Sequence, residues 1–199
     1  MRAGAALAED YAMRSLIAVF VALVFASAAI AQTDAPPGES FVLESATFGS
    51  NTTLATTQVY DKAGCNGGNL SPELHWKGAP GATKSFAVTM FDPDAGGGAG
   101  WWHWLVYDID PKTTSLAVGA GDPLKSPAGS ADARNSFGDI GYSGPCPPRE
   151  DKAHRYVFTI YALKVEKLGL PANPDPAFVK AALEANTILS TTLQAQYER

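Results

Sequence analysis

Three segments of the chain carry apolar side chains at both odd and even positions, a pattern that predicts central β-strands. They are residues 85–91, 101–109 and 155–165. Because successive side chains of a strand point to opposite faces, apolar residues on both faces indicate a sheet that is covered on both sides. We expect the first strand to end at Asp92, since Pro93 has no N–H to donate to a neighbouring strand.

Strict alternation also predicts which side chains share a face of these strands. At the start of the third strand, His154, Tyr156 and Phe158 fall on one face. The second strand divides into two sets, with Trp101, His103, Leu105, Tyr107 and Ile109 on one face and Trp102, Trp104, Val106 and Asp108 on the other. His103 is therefore expected to share its face with Leu105 and Tyr107.

Shorter elements are predicted before these strands. Residues 41–48 alternate like a strand, residues 52–60 are rich in β-branched side chains and are compatible with a second strand, and residues 74–76 suggest a short one. Between the last two lie residues 64–72, where glycine, asparagine, serine and proline predict a loop.

The rest of the chain supplies one long connection and one helix. Residues 110–142 are rich in loop-forming residues, and a connection of that length usually indicates a functional surface or a mobile segment. A helix is predicted from Pro176 through residue 186, because proline is tolerated in the first turn. Residues 188–197 are compatible with a helical turn followed by an edge strand. Long strands, long loops and a late helix make the protein mainly β.

The first 31 residues have the parts of a secretory signal peptide. Met13-Arg14-Ser15 precedes an apolar run that ends in Ala29-Ile30-Ala31, and we expect Met13 to be the true initiator because Glu9 and Asp10 are unlike a signal start. Cleavage after residue 31 would leave a flexible leader, 32–40, and one domain, 41–199, in the periplasm or outside the cell. A signal-anchor that is not cleaved is the alternative.

The net charge of −5 at pH 7, without a cluster of lysine or arginine, argues against a nucleic-acid partner. Export also bears on the two cysteines, Cys65 and Cys146. An even number of cysteines in an oxidising compartment predicts one disulfide, with two buried thiols as the alternative. A zinc site is not expected, since no further ligands lie near either cysteine in the sequence.

Several polar side chains at the predicted strand ends are candidates for ligand binding. Histidine and tyrosine donors would suit a phosphate or carboxylate ligand, and Pro147 with Pro148 would provide an apolar wall. Each has a structural alternative: Asp92 and Asp94 can cap a turn, and a histidine within a strand is often a core residue. The candidates for the pocket are Asp92, His103, His154 and Tyr156.

The chain resembles the phosphatidylethanolamine-binding protein family, and in particular its bacterial Raf-kinase-inhibitor-like branch. The resemblance covers roughly residues 41–199. It rests on Gly64-Cys65-Asn66-Gly67-Gly68-Asn69-Leu70-Ser71-Pro72 with Leu74 and Trp76, on Asp92-Pro93-Asp94-Ala95, on Trp102-His103-Trp104, and on Gly144-Pro145-Cys146-Pro147-Pro148 followed by His154-Arg155-Tyr156.

This resemblance implies a large central sheet packed with a smaller sheet and peripheral helices. It also implies a small pocket for phosphate-like anions, formed by Asp92, His103, Pro147, His154 and Tyr156, with Asp94 and Trp102 as supporting or wall residues. Two segments depart from the family pattern at the pocket rim. Gly96 stands where the family often has proline, and residues 149–153 are mostly charged where the family often has glycine.

The function expected from these observations is non-catalytic binding of a small anionic ligand, with no cofactor and no metal. Its affinity is expected to rise as the pH falls through about 6.5, the pKa of a free histidine. An inhibitor or interaction protein for a peptidase or kinase-type partner is the alternative, and a homodimer is left open. A metal-assisted hydrolase using Asp92, Asp94, His103 and His154 is the least favoured reading.

Overall fold

The computed structural model describes residues 40–199. The predicted signal peptide at 1–31, the start at Met13 and all of the predicted leader except Ser40 lie outside the described residues. Within residues 40–199, no helix has both the length and the apolar character needed to cross a membrane.

Eight strands and one α-helix form the described part of the chain. In chain order they are β1 Val42–Glu44, β2 Leu74–Lys77, β3 Ser85–Asp92, β4 Trp101–Ile109, β5 Ser115–Leu116, β6 Ala131–Asp132, β7 His154–Leu163, α1 Pro176–Asn186 and β8 Thr187–Tyr197. Strands β3, β4 and β7 and the helix lie where the sequence predicts them.

The strands form two antiparallel sheets. The larger has the order β6-β4-β3-β7-β8 and the smaller the order β1-β2-β5. One hydrophobic cluster, which includes Leu43 and Trp76 of the small sheet and Val88 of β3, lies between the sheets. A second cluster packs α1 on the opposite face of the large sheet through Val179 and Leu183. Cover on both faces explains why β3 has apolar side chains on both of its faces, and the predicted fold class is confirmed.

The sequence-based prediction fails in the first β-branched segment. Residues 52–60 do not form a strand; they contain a 3₁₀ turn, Thr56–Gln58, and meet β8 through a single parallel bridge between Thr53 and Gln196. The Gln58 side chain accepts a hydrogen bond from the Ala55 N–H, which favours the turn. Local β-propensity is weak compared with such tertiary and side-chain contacts.

The C-terminal segment contains no helical turn after α1. The last strand, β8, runs without interruption from Thr187 and pairs with β7 along its length, at the edge of the large sheet. The edge-strand part of the prediction is therefore confirmed.

Two β-bulges interrupt the alternation of β4. Met90 pairs with Trp104 and Phe91 with Trp102, so that His103 is an extra residue between the two pairs. A second extra residue lies near Asp108, which has a positive φ of 60°. Each bulge shifts the pattern by one position, so the second cancels the first.

The predicted faces of β4 are therefore wrong between the bulges and right outside them. Trp104 and Val106 join Ile109 in the cluster between the sheets, whereas Leu105 and Tyr107 pack in the cluster with α1. His103 does not share a face with Leu105 and Tyr107. The bulge instead leaves its ring beside Tyr156 of β7, with ring centroids 5.2 Å apart.

Candidate ligand-binding site

A cavity of about 260 Å³ lies at one end of the large sheet, where the ends of three neighbouring strands meet. Because β3 runs antiparallel to both β4 and β7, its C-terminal end lies beside the N-terminal ends of those two strands. The cavity is lined by Asp92, Ala95, Trp101, His103, Phe137, Cys146, Pro147, Pro148, His154 and Tyr156. The five residues expected to bind ligand are thus brought together.

Asp92 is buried at the base of the cavity and both of its carboxylate oxygens are engaged. Its Oδ1 accepts hydrogen bonds from the N–H groups of Asp94 (2.8 Å) and Ala95 (3.1 Å), and its Oδ2 lies 2.8 Å from His154 Nδ1. The carboxylate therefore caps the turn after β3, as the structural alternative predicted, and at the same time orients His154 in the cavity.

His103 is 2% exposed and its tautomer is fixed by the backbone. Its Nδ1 lies 2.7 Å from Ser143 O and 3.1 Å from Gly144 O, so Nδ1 must carry the proton that it donates to these carbonyls. Burial lowers the pKa of His103 to about 4. The ring is therefore neutral at pH 7, with Nε2 as an acceptor. A rise in anion affinity near pH 6.5 is no longer expected from His103.

We predict that His103 makes the folded protein sensitive to mild acid. Its pKa is about 4 in the folded state and 6.5 when free, so between these values the unfolded chain binds more protons. The stability that depends on a neutral His103 is fully present above pH 6.5, the pKa of the free side chain. It is lost as the pH falls through about 4, the pKa of His103 in the folded state. The free energy of unfolding, measured by urea denaturation from pH 7 to pH 4, should fall less steeply in His103→Gln than in the wild type.

Parallel pH profiles for the two proteins would contradict this prediction. Histidine NMR provides a second readout, because the signal that disappears in His103→Gln should titrate near pH 4 in the folded wild type.

Two residues that line the cavity, Tyr156 and Trp101, each have a buried donor for which the described residues supply no hydrogen-bond partner within bonding geometry. The donors are the Tyr156 hydroxyl and the Trp101 indole N–H. Burial, and then the nearby Asp92 charge, raise the pKa of Tyr156, so its phenol stays protonated. Because a buried donor without an acceptor is costly, a ligand that brings oxygen atoms to these groups would be favoured.

Asp94 supports the site from outside the cavity. The Asp94 carboxylate accepts hydrogen bonds from the Arg155 N–H, Nε (both 2.9 Å) and Nη2 (2.7 Å), which lower the pKa of Asp94 to about 2. This pair ties the turn after β3 to β7.

The sequence suggested Trp102 as a supporting or wall residue, but the wall of the cavity contains its neighbour Trp101. The Trp102 ring is tilted against that of Phe91, with centroids 4.5 Å apart, and it packs with the α1 cluster, whereas Trp101 lines the cavity.

Phe137 is a wall residue that the sequence analysis missed. Its ring lies 5.3 Å from the His103 ring, 5.4 Å from Trp101 and 4.6 Å from Tyr60. It belongs to the long connection 110–142, where two aromatic residues, Phe137 and Tyr142, among loop formers give no periodic signal. The length of that connection was the one hint that it contributes to the site.

The proline wall of the cavity is fastened by a disulfide and by Arg199. Cys65 and Cys146 are joined, with their Cα atoms 5.8 Å apart. Arg199 Nε donates to Pro147 O at 2.7 Å, and its Nη1 donates to Gly64 O at 3.2 Å. These contacts join the loop at 64–66 to the wall at 146–148.

The loop at residues 64–72 also positions the carbonyl groups that accept a hydrogen bond from His103. The Gly144 N–H donates to Asn69 Oδ1 at 2.9 Å, which holds the carbonyl region that binds His103 Nδ1. A Cβ on Gly144 would lie 2.0 Å from Gln58 O, so the backbones approach too closely there for any other residue.

Within residues 40–199, no group of three or more His, Cys, Asp and Glu side chains is arranged to hold a metal ion. The Asp94 carboxylate is committed to Arg155, and the oxygens of Asp92 are committed to two backbone N–H groups and His154. His75 lies away from the cavity, between Glu73 and Glu44.

Comparison with known proteins agrees with this fold. The sequence profile described as phosphatidylethanolamine-binding protein matches residues 44–198. The UPF0098 protein YbcL of Escherichia coli is 48% identical over 147 residues, which cover 73% of this chain and 80% of YbcL. The crystal structure of YbcL, described as a new member of the mammalian PEBP family, has a TM-score of 0.78 at 43% identity and covers 81% of this chain and 99% of its own.

Two further relatives extend the comparison. The UPF0098 protein YbhB of Escherichia coli is 38% identical over 145 residues, covering 72% of this chain and 91% of YbhB. The putative lipoprotein LppC of Mycobacterium tuberculosis is 38% identical over 152 residues, covering 76% and 68%. With the profile spanning most of the chain and relatives at this level of identity, the chain belongs to the phosphatidylethanolamine-binding protein family.

Proposed function

We propose that the protein binds a small anionic ligand, a phosphate or a phosphate-bearing headgroup, without catalysing a reaction. The observation that carries this proposal is that two cavity-lining residues, Tyr156 and Trp101, each have a buried donor without an acceptor among the described residues. Phosphate oxygens are strong acceptors, and hydrogen bonds to a charged group are stronger than those between neutral groups.

The size of the cavity favours a small ligand. Its volume of about 260 Å³ falls just below the range of roughly 300–1,000 Å³ that is usual for drug-sized ligands. A headgroup would fit, with its non-phosphate part against the apolar wall of Trp101, Phe137 and Pro147, whereas the acyl chains of a lipid would have to remain outside.

The arrangement of the carboxylates supports binding over hydrolysis. In a metal-assisted hydrolase, Asp92 and Asp94 would need free oxygens for a metal or a water molecule. Here Asp94 is held by Arg155, and Asp92 by two backbone N–H groups and His154. The two carboxylates therefore act as structural anchors for the turn and for His154.

We further propose that the protein works in the periplasm or outside the cell. The Cys65–Cys146 disulfide fits an oxidising compartment. The similarity to a putative lipoprotein supports a location outside the cytoplasm.

A protein partner is the second candidate function, and the exposed apolar residues of the 110–142 connection favour it. Leu124 is 95% exposed and Val118 is 51% exposed. A partner that docks there would be insensitive to substitutions inside the cavity, which separates this candidate from ligand binding.

We predict that Tyr156→Phe weakens phosphate binding about 10- to 100-fold, the usual loss when a hydrogen bond to a charged group is removed. The substitution removes the hydroxyl and keeps the buried ring. Calorimetry at pH 7 should be done with inorganic phosphate and with phosphoethanolamine. Tyr161→Phe is the matched control, because Tyr161 packs in the cluster on the other face of the sheet.

The two ligands separate the possible sources of the phosphate group. Much tighter binding of phosphoethanolamine would identify a headgroup ligand, and equal binding would identify phosphate alone. Absence of binding to both, or equal affinities of Tyr156→Phe and Tyr161→Phe, would reject the proposal.

A further inference from the structure

One of the protein's own carboxylates already faces the histidine that would receive the anion. Asp151 Oδ2 lies 3.4 Å from His154 Nε2, and Asp92 Oδ2 lies 2.8 Å from His154 Nδ1. Both nitrogens of His154 are therefore turned to carboxylates. An anion that enters the cavity and approaches His154 meets a negative charge that is already in place.

The two carboxylates differ in how firmly they are held. Asp92 is 2% exposed and is fixed by backbone N–H groups. The Asp151 side chain is 52% exposed, in the loop between Pro148 and β7, and its single contact among the described residues is the one to His154. Its N–H donates to Pro148 O at 3.3 Å, so the backbone of the loop is tied while the carboxylate can rotate into solvent.

The charges around His154 determine how strongly the Asp151 carboxylate affects an anion in the cavity. His103 is neutral at pH 7 because burial lowers its pKa to about 4, so it does not offset a negative charge in the cavity. Arg155 is paired with Asp94, and Arg199 donates to two carbonyls of the wall. The loop also carries two exposed cations, Arg149 and Lys152, whose charges are screened by solvent. A phosphate beside His154 would be repelled by the Asp151 carboxylate at a much shorter distance.

We propose that Asp151 is an internal competitor that sets the ligand affinity of the cavity. Its carboxylate occupies the position at His154 Nε2 that a ligand phosphate would take, and the ligand must displace it in order to bind. This inference rests on the proposed function. It adds one residue, Asp151, whose carboxylate determines how tightly the cavity binds a ligand and which ligand charge it favours. It also gives a role to the charged segment 149–153, one of the two departures from the family pattern.

The test compares two loop variants that change the net charge equally. Asp151→Asn removes the competing charge, and Glu150→Gln removes the charge of the adjacent exposed residue. Calorimetry with inorganic phosphate and with phosphoethanolamine at pH 7 should show about tenfold tighter binding for Asp151→Asn, the scale expected for removing a like charge a few ångströms away. Glu150→Gln should stay within about twofold of the wild type, because exposed charges are screened. Asp151→Ala should match Asp151→Asn.

The outcomes separate this inference from the proposed function. If the wild type binds phosphate and the Asp151 variants bind no more tightly than Glu150→Gln, the competitor role is rejected and anion binding stands. If none of the proteins binds either ligand, both proposals are rejected. If the Asp151 variants bind and the wild type does not, the competitor role is supported in its strongest form.

Discussion

Replacing Asp92 with alanine is expected to lower the free energy of unfolding by about 3–5 kcal/mol, because several buried donors lose their acceptor at about 1–3 kcal/mol each. The carboxylate is 2% exposed and accepts from the Asp94 and Ala95 N–H groups and from His154. Without it, two backbone donors and an imidazole nitrogen lose their acceptor in a buried site. Urea denaturation at pH 7 measures the loss.

The same substitution should also abolish phosphate binding, because His154 loses the contact that orients it. Asp61→Ala is the matched control, since Asp61 is an exposed aspartate outside the cavity. A loss of less than about 1 kcal/mol for Asp92→Ala, in the range of ordinary surface substitutions, would show that the turn and His154 are held by other contacts.

Removing the disulfide in a Cys65→Ser, Cys146→Ser double variant is expected to lower the free energy of unfolding by about 4–5 kcal/mol. The two cysteines are 81 residues apart in sequence, and a crosslink that closes so long a loop restricts the unfolded chain strongly. The measurement is urea denaturation of wild type and variant without reductant. Phosphate binding should weaken as well, since the bond fastens the wall that contains Pro147.

Reductant provides the control for this experiment, because it should destabilise the wild type and leave the double variant unchanged. Mass spectrometry of the wild type under non-reducing conditions tests the bond directly. Two free thiols, or equal stabilities of the two proteins, would contradict the prediction.

The long strands could be predicted from sequence because burial on both faces leaves a continuous apolar run, as in β3. The cavity could be anticipated for a related reason. Asp92 and His154 lie at the ends of β3 and β7, His103 is the third residue of β4, and antiparallel pairing brings these parts of the strands together. The face of β7 on which the Tyr156 side chain lies could be predicted from the alternation of side chains along a strand.

Other features could not be predicted from the sequence, because they depend on specific contacts that local patterns do not show. The extra residue at His103 is defined by how β4 pairs with β3, and no local pattern distinguishes it from regular alternation. The contribution of Phe137 depends on the path of a long connection, and the turn at 56–58 depends on one glutamine side chain. In each case a specific contact decides between conformations that local propensity leaves nearly equal.

The paired bulges of β4 allow one strand to contribute to both the cavity and the core. Position 103 is inserted between Trp102 and Trp104, which pack on opposite sides of the sheet, and the second bulge restores the original alternation before the strand ends. The strand can therefore place a buried histidine at the cavity and still supply apolar side chains to both hydrophobic clusters.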